Sequence, residues 1–164
     1  MDIDYAKILK NALSRGGEYA DLYIENTRPS ALVLEDRKVE KVLTGIETGA
    51  GLRVIVDFRT IYAYTNDLTE RALLALAEKV AAASTGGGGD IVINLTERRA
   101  GVEFAIIEPP DGVGVDRKVA LLKEADDAAR SYDSRIAQAT ISYRDTLQDV
   151  VIACSDGTLA RDRR

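Results

Sequence analysis

Tyr62, Tyr64, Thr65 and Asn66 lie within five residues of one another, and an alternating segment places both rings on one face of a strand. Two tyrosine faces beside a hydroxyl and an amide could line a groove for an extended peptide, because added-strand recognition needs an accessible edge near side-chain pockets. The same residues also fit a sheet surface covered by a helix or loop, where aromatic pairs stabilise neighbouring strands. The sequence carries no histidine and one cysteine, Cys154. That removes Ser-His-Asp and Cys-His catalysis, imidazole-ligated zinc and any thiolate cluster. Glu35-Asp36 and Asp126-Asp127 lack the alternating oxygen spacing of a calcium loop and read as solvated surface acids. Lys118 and Lys123 would need an apolar pocket to become bases or nucleophiles, and both read as solvent-facing. Cys154 reads as a small buried hydrophobe on a strand. No catalytic or metal-ligating residue emerges.

The 164 residues are 46% apolar and 30% charged, enough for one ordinary core or for a domain with an appended piece. Lys and Arg number 22 against 27 Asp and Glu, a net charge of −5. No basic stripe is visible to release counterions from phosphates, which argues against direct nucleic-acid contact. The terminal Arg161-Asp162-Arg163-Arg164 is short and interrupted by an acid, and reads as a solvated strand end. No apolar run approaches the ~20 residues of a bilayer span, the first residues lack the pattern of an export signal, and the single cysteine suits a reducing compartment. The expected location is the cytoplasm, with no membrane partner.

The elements that must position the tyrosines follow from periodicity. Tyr5, Ile8, Leu9, Ala12 and Leu13 give a helix from Asp4 to about Arg15, stopped by Gly16-Gly17. From Tyr19 the period becomes two, with Ala20, Leu22 and Ile24 on one face; this strand should be interrupted or bent at Pro29. Ala31 to Leu34, a turn at Glu35–Lys38, and Val39 to Thr44 read as a hairpin. The nearly continuous apolar run Leu52–Val56 reads as the centre of the sheet, covered on both faces. A turn at Asp57-Phe58-Arg59 leads to Thr60–Thr65, where Ile61 and Ala63 oppose Tyr62 and Tyr64. Asp67 begins a capping box with Glu70, Thr69 being the alternative cap, and the helix that follows presents Leu68, Ala72, Leu76 and Val80 as far as about Ala83.

Ser84 to Gly89 contains four consecutive glycines and reads as a linker; neither the Walker pattern nor the dinucleotide pattern surrounds it. The resulting layout is an α+β domain over residues 1–84, a Gly-rich linker over 85–90, and an appended strand, helix and hairpin over 91–164. In that second part Ile91–Leu95 reads as a strand and Glu108–Gly112 as a proline-set loop. A helix from Asp116 should bury Val119, Leu122, Ala125, Ala129 and Tyr132. Ile136–Tyr143 and Leu147–Cys154 read as a hairpin, followed by a tight turn at Ser155-Asp156-Gly157. The strand after that turn would be an unfinished edge, so the hairpin reads as truncated and the chain as part of a longer protein. The fold class is α+β, a mainly antiparallel sheet with helices on one face.

Four segments, taken in order, carry a resemblance: Tyr19-Ala20-Asp21-Leu22-Tyr23, Leu34-Glu35-Asp36-Arg37-Lys38-Val39-Glu40, Gly49-Ala50-Gly51-Leu52-Arg53-Val54 and Tyr64-Thr65-Asn66-Asp67-Leu68, with Ser155-Asp156-Gly157 closing the set. Together they resemble the amino-terminal region of the TldD/PmbA family, the modulators of DNA gyrase, and the Leu34-Glu35-Asp36 step is closer to the TldD branch. The resemblance implies the non-catalytic front part of a cytosolic zinc peptidase acting on small or unfolded peptides. Such a part would contribute substrate channel and subunit interface, working with a TldD/TldE-type partner or as a homo-oligomer. The family's H-E-x-x-x-H zinc motif lies in the half that follows this region, so the resemblance places no cofactor in this chain and the zinc beyond it. The alternative is a free-standing adaptor or inhibitor that pairs with a TldD-like partner.

Overall fold

The computed structural model describes residues 3–84, 92–98 and 105–164. It contains helices α1 (Tyr5–Ala12), α2 (Glu70–Ala83) and α3 (Val115–Tyr132), a short 3-10 turn at Pro110–Gly112, and seven strands. The strands are β1 (Tyr19–Glu35), β2 (Lys38–Thr44), β3 (Glu47–Val56), β4 (Arg59–Thr65), β5 (Thr96–Arg98), β6 (Thr140–Cys154) and β7 (Thr158–Arg163). Their order is β4-β3-β1-β6-β7-β5, with β2 paired to β1. The pairs β1–β2, β3–β4 and β6–β7 are antiparallel, whereas β5 runs parallel to β7. This is the α+β fold that the alternating segments imply.

The chain forms two compact units that are not consecutive in sequence. One draws its described residues from Met1–Asn26, Glu47–Glu103 and Asp149–Arg163, the other from Thr27–Ile46 and Phe104–Gln148 with Arg164. The proposed linker over 85–90 lies outside the described residues.

In the first unit, α1 and α2 cover one sheet face. Ile8, Leu9, Ala12 and Leu13 from α1 and Leu73, Leu76, Ala77 and Val80 from α2 meet Ala20, Leu22, Leu52, Val54 and Ala153 from the strands, all buried. Asp4 caps α1, its Oδ1 accepting the Lys7 backbone N–H at 2.9 Å. Gly16 and Gly17, at φ 124° and 121°, then turn the chain into β1, a region that costs a side chain steric strain. Thr69 rather than Asp67 caps α2, accepting the Ala72 N–H at 3.3 Å, while Asp67 accepts the Thr69 N–H at 2.9 Å. Glu70 pairs with Lys7 at 2.9 Å instead of reaching back. The buried stripe of α2 uses Leu73 and Ala77 where the sequence pattern suggested Ala72 and Leu68. The β3–β4 turn holds Asp57 and Phe58 at φ 48° and 59°, the two left-handed residues of a hairpin turn whose twist matches its strands.

Three further expectations are corrected here. The Leu52–Val56 strand is not the sheet centre, since β1 and β6 occupy the middle of the order. Arg53 is exposed between buried Leu52 and Val54, so β3 is covered on one face only. Residues 92–95 form no strand; pairing starts at Thr96. Pro29 does not interrupt β1, a single strand of 17 residues. Its missing N–H falls next to the end of β2 at Thr44, where one ladder bond is lost, and its carbonyl still accepts the Gly45 N–H at 3.2 Å.

In the second unit, Leu32 and Leu34 pack with Leu122 of α3 and with Val119, Ile141 and Tyr143. The β1–β2 hairpin turns at Asp36 and Arg37, φ 45° and 67°. The buried stripe of α3 is Lys118, Leu122 and Asp126: Leu122 is buried as expected and Val119 packs partly buried beside it, but Ala125, Ala129 and Tyr132 are not in the stripe. Lys118 (6% exposed) and Asp126 (1%) are therefore core residues, a correction to their reading as surface charges. Lys118 Nζ reaches Asp145 at 2.6 Å and lies 5.6 Å from the centre of the Tyr143 ring; Asp126 is held by Arg130, one turn away, at 3.0 Å. The same ion pair explains why Ile136–Tyr143 and Leu147–Cys154 are not a hairpin. Arg144-Asp145-Thr146 looks like a polar turn between apolar runs, yet Asp145 points inward to Lys118 and β6 continues for 15 residues. The carboxy-terminal hairpin is β6–β7 instead.

Candidate functional site

The sheet of the first unit has one face left uncovered by α1 and α2, and its side chains follow from the alternation. With Leu52 and Val54 turned into the core, Gly49, Gly51 and Arg53 project the other way. The register sets Gly51 opposite Tyr64 and Arg53 opposite Tyr62, so both tyrosines join that face. On β1, Ala20 and Leu22 are buried, which puts Asp21 and Tyr23 on the uncovered side.

Part of this face forms an open groove of about 690 Å³ over the interior of β1, the start of β3 and the end of β4. It brings together Tyr62, Tyr64, Thr65 and Asn66, all four residues singled out by type and spacing, with Tyr23, Glu25, Glu47 and Gly51 among the other lining residues. Tyr62 and Tyr64 are 61% and 79% exposed, their ring centres 6.4 Å apart with planes 29° from parallel. The Tyr62 ring lies directly over Gly51: a Cβ built there would stand 2.4 Å from the phenolic oxygen. Glycine is needed here for close approach rather than for its backbone freedom. Tyr23 donates its hydroxyl to Glu25 Oε2 at 2.6 Å, and Thr65 Oγ1 accepts the Asp67 N–H at 3.1 Å. Beside the groove Arg53 donates to Asp21 at 2.8 Å, and that carboxylate holds the guanidinium above its ordinary range.

β4 ends the strand order, so among the described residues no strand pairs with its outer edge. Its hairpin closes on Val56 and Arg59 around a two-residue turn. Hydrogen-bonded and non-bonded pairs alternate from there, so Thr60, Tyr62 and Tyr64 direct their N–H and C=O groups toward the free edge. One segment thus supplies both exposed rings and unpaired backbone donors and acceptors.

The sequence signal for Tyr23, Glu25 and Glu47 was absent, because their roles depend on which strands become neighbours. Gly49-x-Gly51 facing Tyr62-x-Tyr64 was available as a signal once the hairpin register was fixed. Cys154 is buried, and desolvation pushes its thiol up; Tyr19 beside it is likewise raised by burial. A second cavity of about 470 Å³ in the other unit contains Arg28 and Lys118, each paired with an acid, Asp111 at 2.6 Å and Asp145 at 2.6 Å. It presents no uncompensated charge from those groups.

A zinc ion does not fit the residues present. Imidazole is missing from the sequence, the single thiol is buried and protonated, and among the described residues no group of three or more Cys, Asp or Glu converges. Nor, among those residues, is any helix long and apolar enough to cross a membrane.

Comparison with known proteins gives this architecture a family. Residues 20–84 match the PmbA/TldA metallopeptidase domain 1 and residues 108–164 match the PmbA/TldA metallopeptidase central domain. The chain belongs to the PmbA/TldD metallopeptidase family. It is 29% identical over 154 residues to the metalloprotease TldD homologue of Haemophilus influenzae, covering 92% of this chain and 32% of that protein. In fold it is similar to TldE from Thermococcus kodakarensis, with a TM-score of 0.69 at 15% identity over 96% of this chain and 36% of the other. A candidate modulator of DNA gyrase from Bacteroides thetaiotaomicron gives the same TM-score at 19% identity over 96% of this chain and 37% of its own. The chain thus spans about a third of the length of these relatives.

Proposed function

We propose that this chain is the amino-terminal, non-catalytic part of a TldD-type zinc metallopeptidase acting on small or unfolded peptides in the cytoplasm, and that it guides the substrate and shares in the subunit interface with a TldD/TldE-type partner or a second copy. The observation that carries this reading is the groove. Four residues suited to an extended peptide line one open trough beside a strand edge whose backbone groups no strand pairs among the described residues. An unfolded peptide meets that edge by main-chain hydrogen bonds, which do not depend on its sequence, and places alternate side chains over the tyrosines. In this reading the zinc and the group that activates its water lie in the two-thirds of the relatives' length that this chain does not span, a reading supported by the lack of histidine in its sequence.

The test is a comparison of this chain with a protein extended by the rest of the family's length. This chain alone should retain far less than one zinc per molecule after dialysis and leave an unfolded peptide uncut. The extended protein should do both, with cleavage lost on chelation, and Tyr62→Ser with Tyr64→Ser should raise KM while leaving kcat nearly unchanged. Near-stoichiometric zinc and chelator-sensitive cleavage by this chain alone would overturn the assignment of roles.

A further inference from the structure

Among the described residues β4 and β2 each have a strand on one side only, β3 for the one and β1 for the other. The two open edges are built differently. Along β2, Lys38, Glu40 and Lys41 are exposed, and Val33 pairs with Lys41 while Leu34 pairs with Val39, so Glu40 has no opposite residue. Charges and irregular pairing keep a strand edge from recruiting another chain. Along β4 both devices are missing. It pairs with β3 without a break in register, and from Thr60 to Asn66 the sequence holds no proline, lysine, arginine, aspartate or glutamate.

β4 also offers apolar surface on both sides of that edge. Tyr62 and Tyr64 stand exposed on the groove face, while Ile61 and Ala63 point to the helix-covered face, where they pack against the core but stay only partly buried. A strand added along β4 sets its residues opposite those of β4, and its side chains fall alternately on the two faces. One row therefore lies beside the tyrosine rings and the other beside Ile61 and Ala63 at the rim of the core. Neither row meets a charge between Thr60 and Asn66. A charged side chain seated there loses water without gaining a partner from that segment, whereas an apolar one removes its surface from water.

We propose that this edge selects extended peptide segments whose apolar residues are consecutive, the kind that fill a protein core and become available when the protein unfolds, over segments whose apolar residues alternate with polar ones. The inference rests on the peptide-groove reading above and adds a substrate class to it. Consecutive apolar residues suit a strand covered on both faces, and alternation suits a strand covered on one. The groove alone requires only the tyrosine face, whereas this selection requires both.

Three labelled ten-residue peptides provide the probe, with affinity for this chain read by fluorescence polarisation. The first carries five consecutive valines flanked by serine and glutamine, the second has the same composition with the valines alternating, and the third replaces every valine by threonine. The consecutive peptide should bind about tenfold tighter than the alternating one, the effect of two further valines taken out of water, and the threonine peptide should bind weakest. In Tyr62→Ser/Tyr64→Ser, a change at exposed positions, the alternating peptide still lays its valines beside Ile61 and Ala63. The ratio should then fall to about twofold or less, with the melting temperature unchanged. Equal affinity for the consecutive and alternating peptides, with both weakened in the tyrosine variant, would keep the groove and overturn the substrate class. A preference that survives the tyrosine variant undiminished would place the selection away from this edge and overturn it too. A chain that binds no peptide and sediments as a dimer, made monomeric by the tyrosine variant, would give the edge to a second copy and overturn both readings. Binding that is absent from a monomer, or indifferent to the tyrosine variant, would overturn the groove and this inference with it.

Discussion

Replacing Gly51 by alanine separates the groove from the fold. A Cβ at this position would stand 2.4 Å from the Tyr62 phenolic oxygen and 2.9 Å and 3.0 Å from two ring carbons, whereas ordinary contact begins at 3.4 Å. The ring must therefore move by about an ångström, and because Tyr62 is largely exposed it swings toward solvent without disturbing Leu52 or Val54 behind the sheet. Alanine also restricts the unfolded chain more than glycine does, which is stabilising by roughly 0.4–1 kcal/mol and offsets the lost ring contact. Net stability should stay within about 1 kcal/mol, a melting shift of no more than about 4 °C for a chain of this size. Binding should respond differently. Displacing one aromatic wall forfeits about 0.5–1.5 kcal/mol of contact, a two- to tenfold weaker Kd for an unfolded peptide. Differential scanning fluorimetry and fluorescence polarisation on one preparation give both numbers. An unchanged Kd, or a loss of stability above about 2 kcal/mol with the groove intact, would refute the reasoning.

Four other outcomes follow from particular residues. Lys118→Met leaves the Asp145 carboxylate buried without its cation and should cost about 3–5 kcal/mol by urea denaturation, whereas adding Asp145→Leu should restore most of it. Cys154 is buried with its thiol pushed up, so it should react with a disulfide reagent at pH 7 only at the rate of unfolding, and at once in denaturant. Asp156 accepts the Thr158 N–H at 2.9 Å, which holds its carboxyl below its ordinary value. Its contribution is therefore present above its ordinary value and lost as pH falls through the lowered one, so Asp156→Asn should flatten the decline in melting temperature on the acid side of the ordinary carboxyl range. Limited proteolysis should cut first among Gly86 to Gly89, where four glycines in sequence maximise backbone entropy; first cleavage inside Leu52–Val56 would contradict the proposed 1–84 unit.

The elements of the first unit were legible because their signals are local. Asp4 and Thr69 are side-chain caps, the two-residue turn at Asp57-Phe58 interrupts clear alternation, and Ala20, Leu22, Leu52 and Val54 alternate with polar neighbours. The second unit was less legible because its core is partly ionic. Lys118, Asp126 and Asp145 look like surface to any reading that equates charge with solvent, and that error rotated α3 and broke β6 in two. Long-range pairing was hidden for a different reason. Nothing local in Leu52–Val56 tells whether one face or both will be covered, and nothing in Tyr23, Glu25 or Glu47 announces the neighbours that gather them beside Tyr62 and Tyr64.

Amide exchange along β4 tests the groove most directly. Thr60, Tyr62 and Tyr64 direct their N–H groups to the outer edge, while the N–H groups of Ile61 and Ala63 are committed to β3. When a saturating unfolded peptide is added, exchange at Tyr62 and Tyr64 should slow by tenfold or more, about the protection one net hydrogen bond confers, with β2 unchanged. Saturable peptide binding that leaves the exchange of Tyr62 and Tyr64 unaltered would contradict the assignment of this face as the substrate groove.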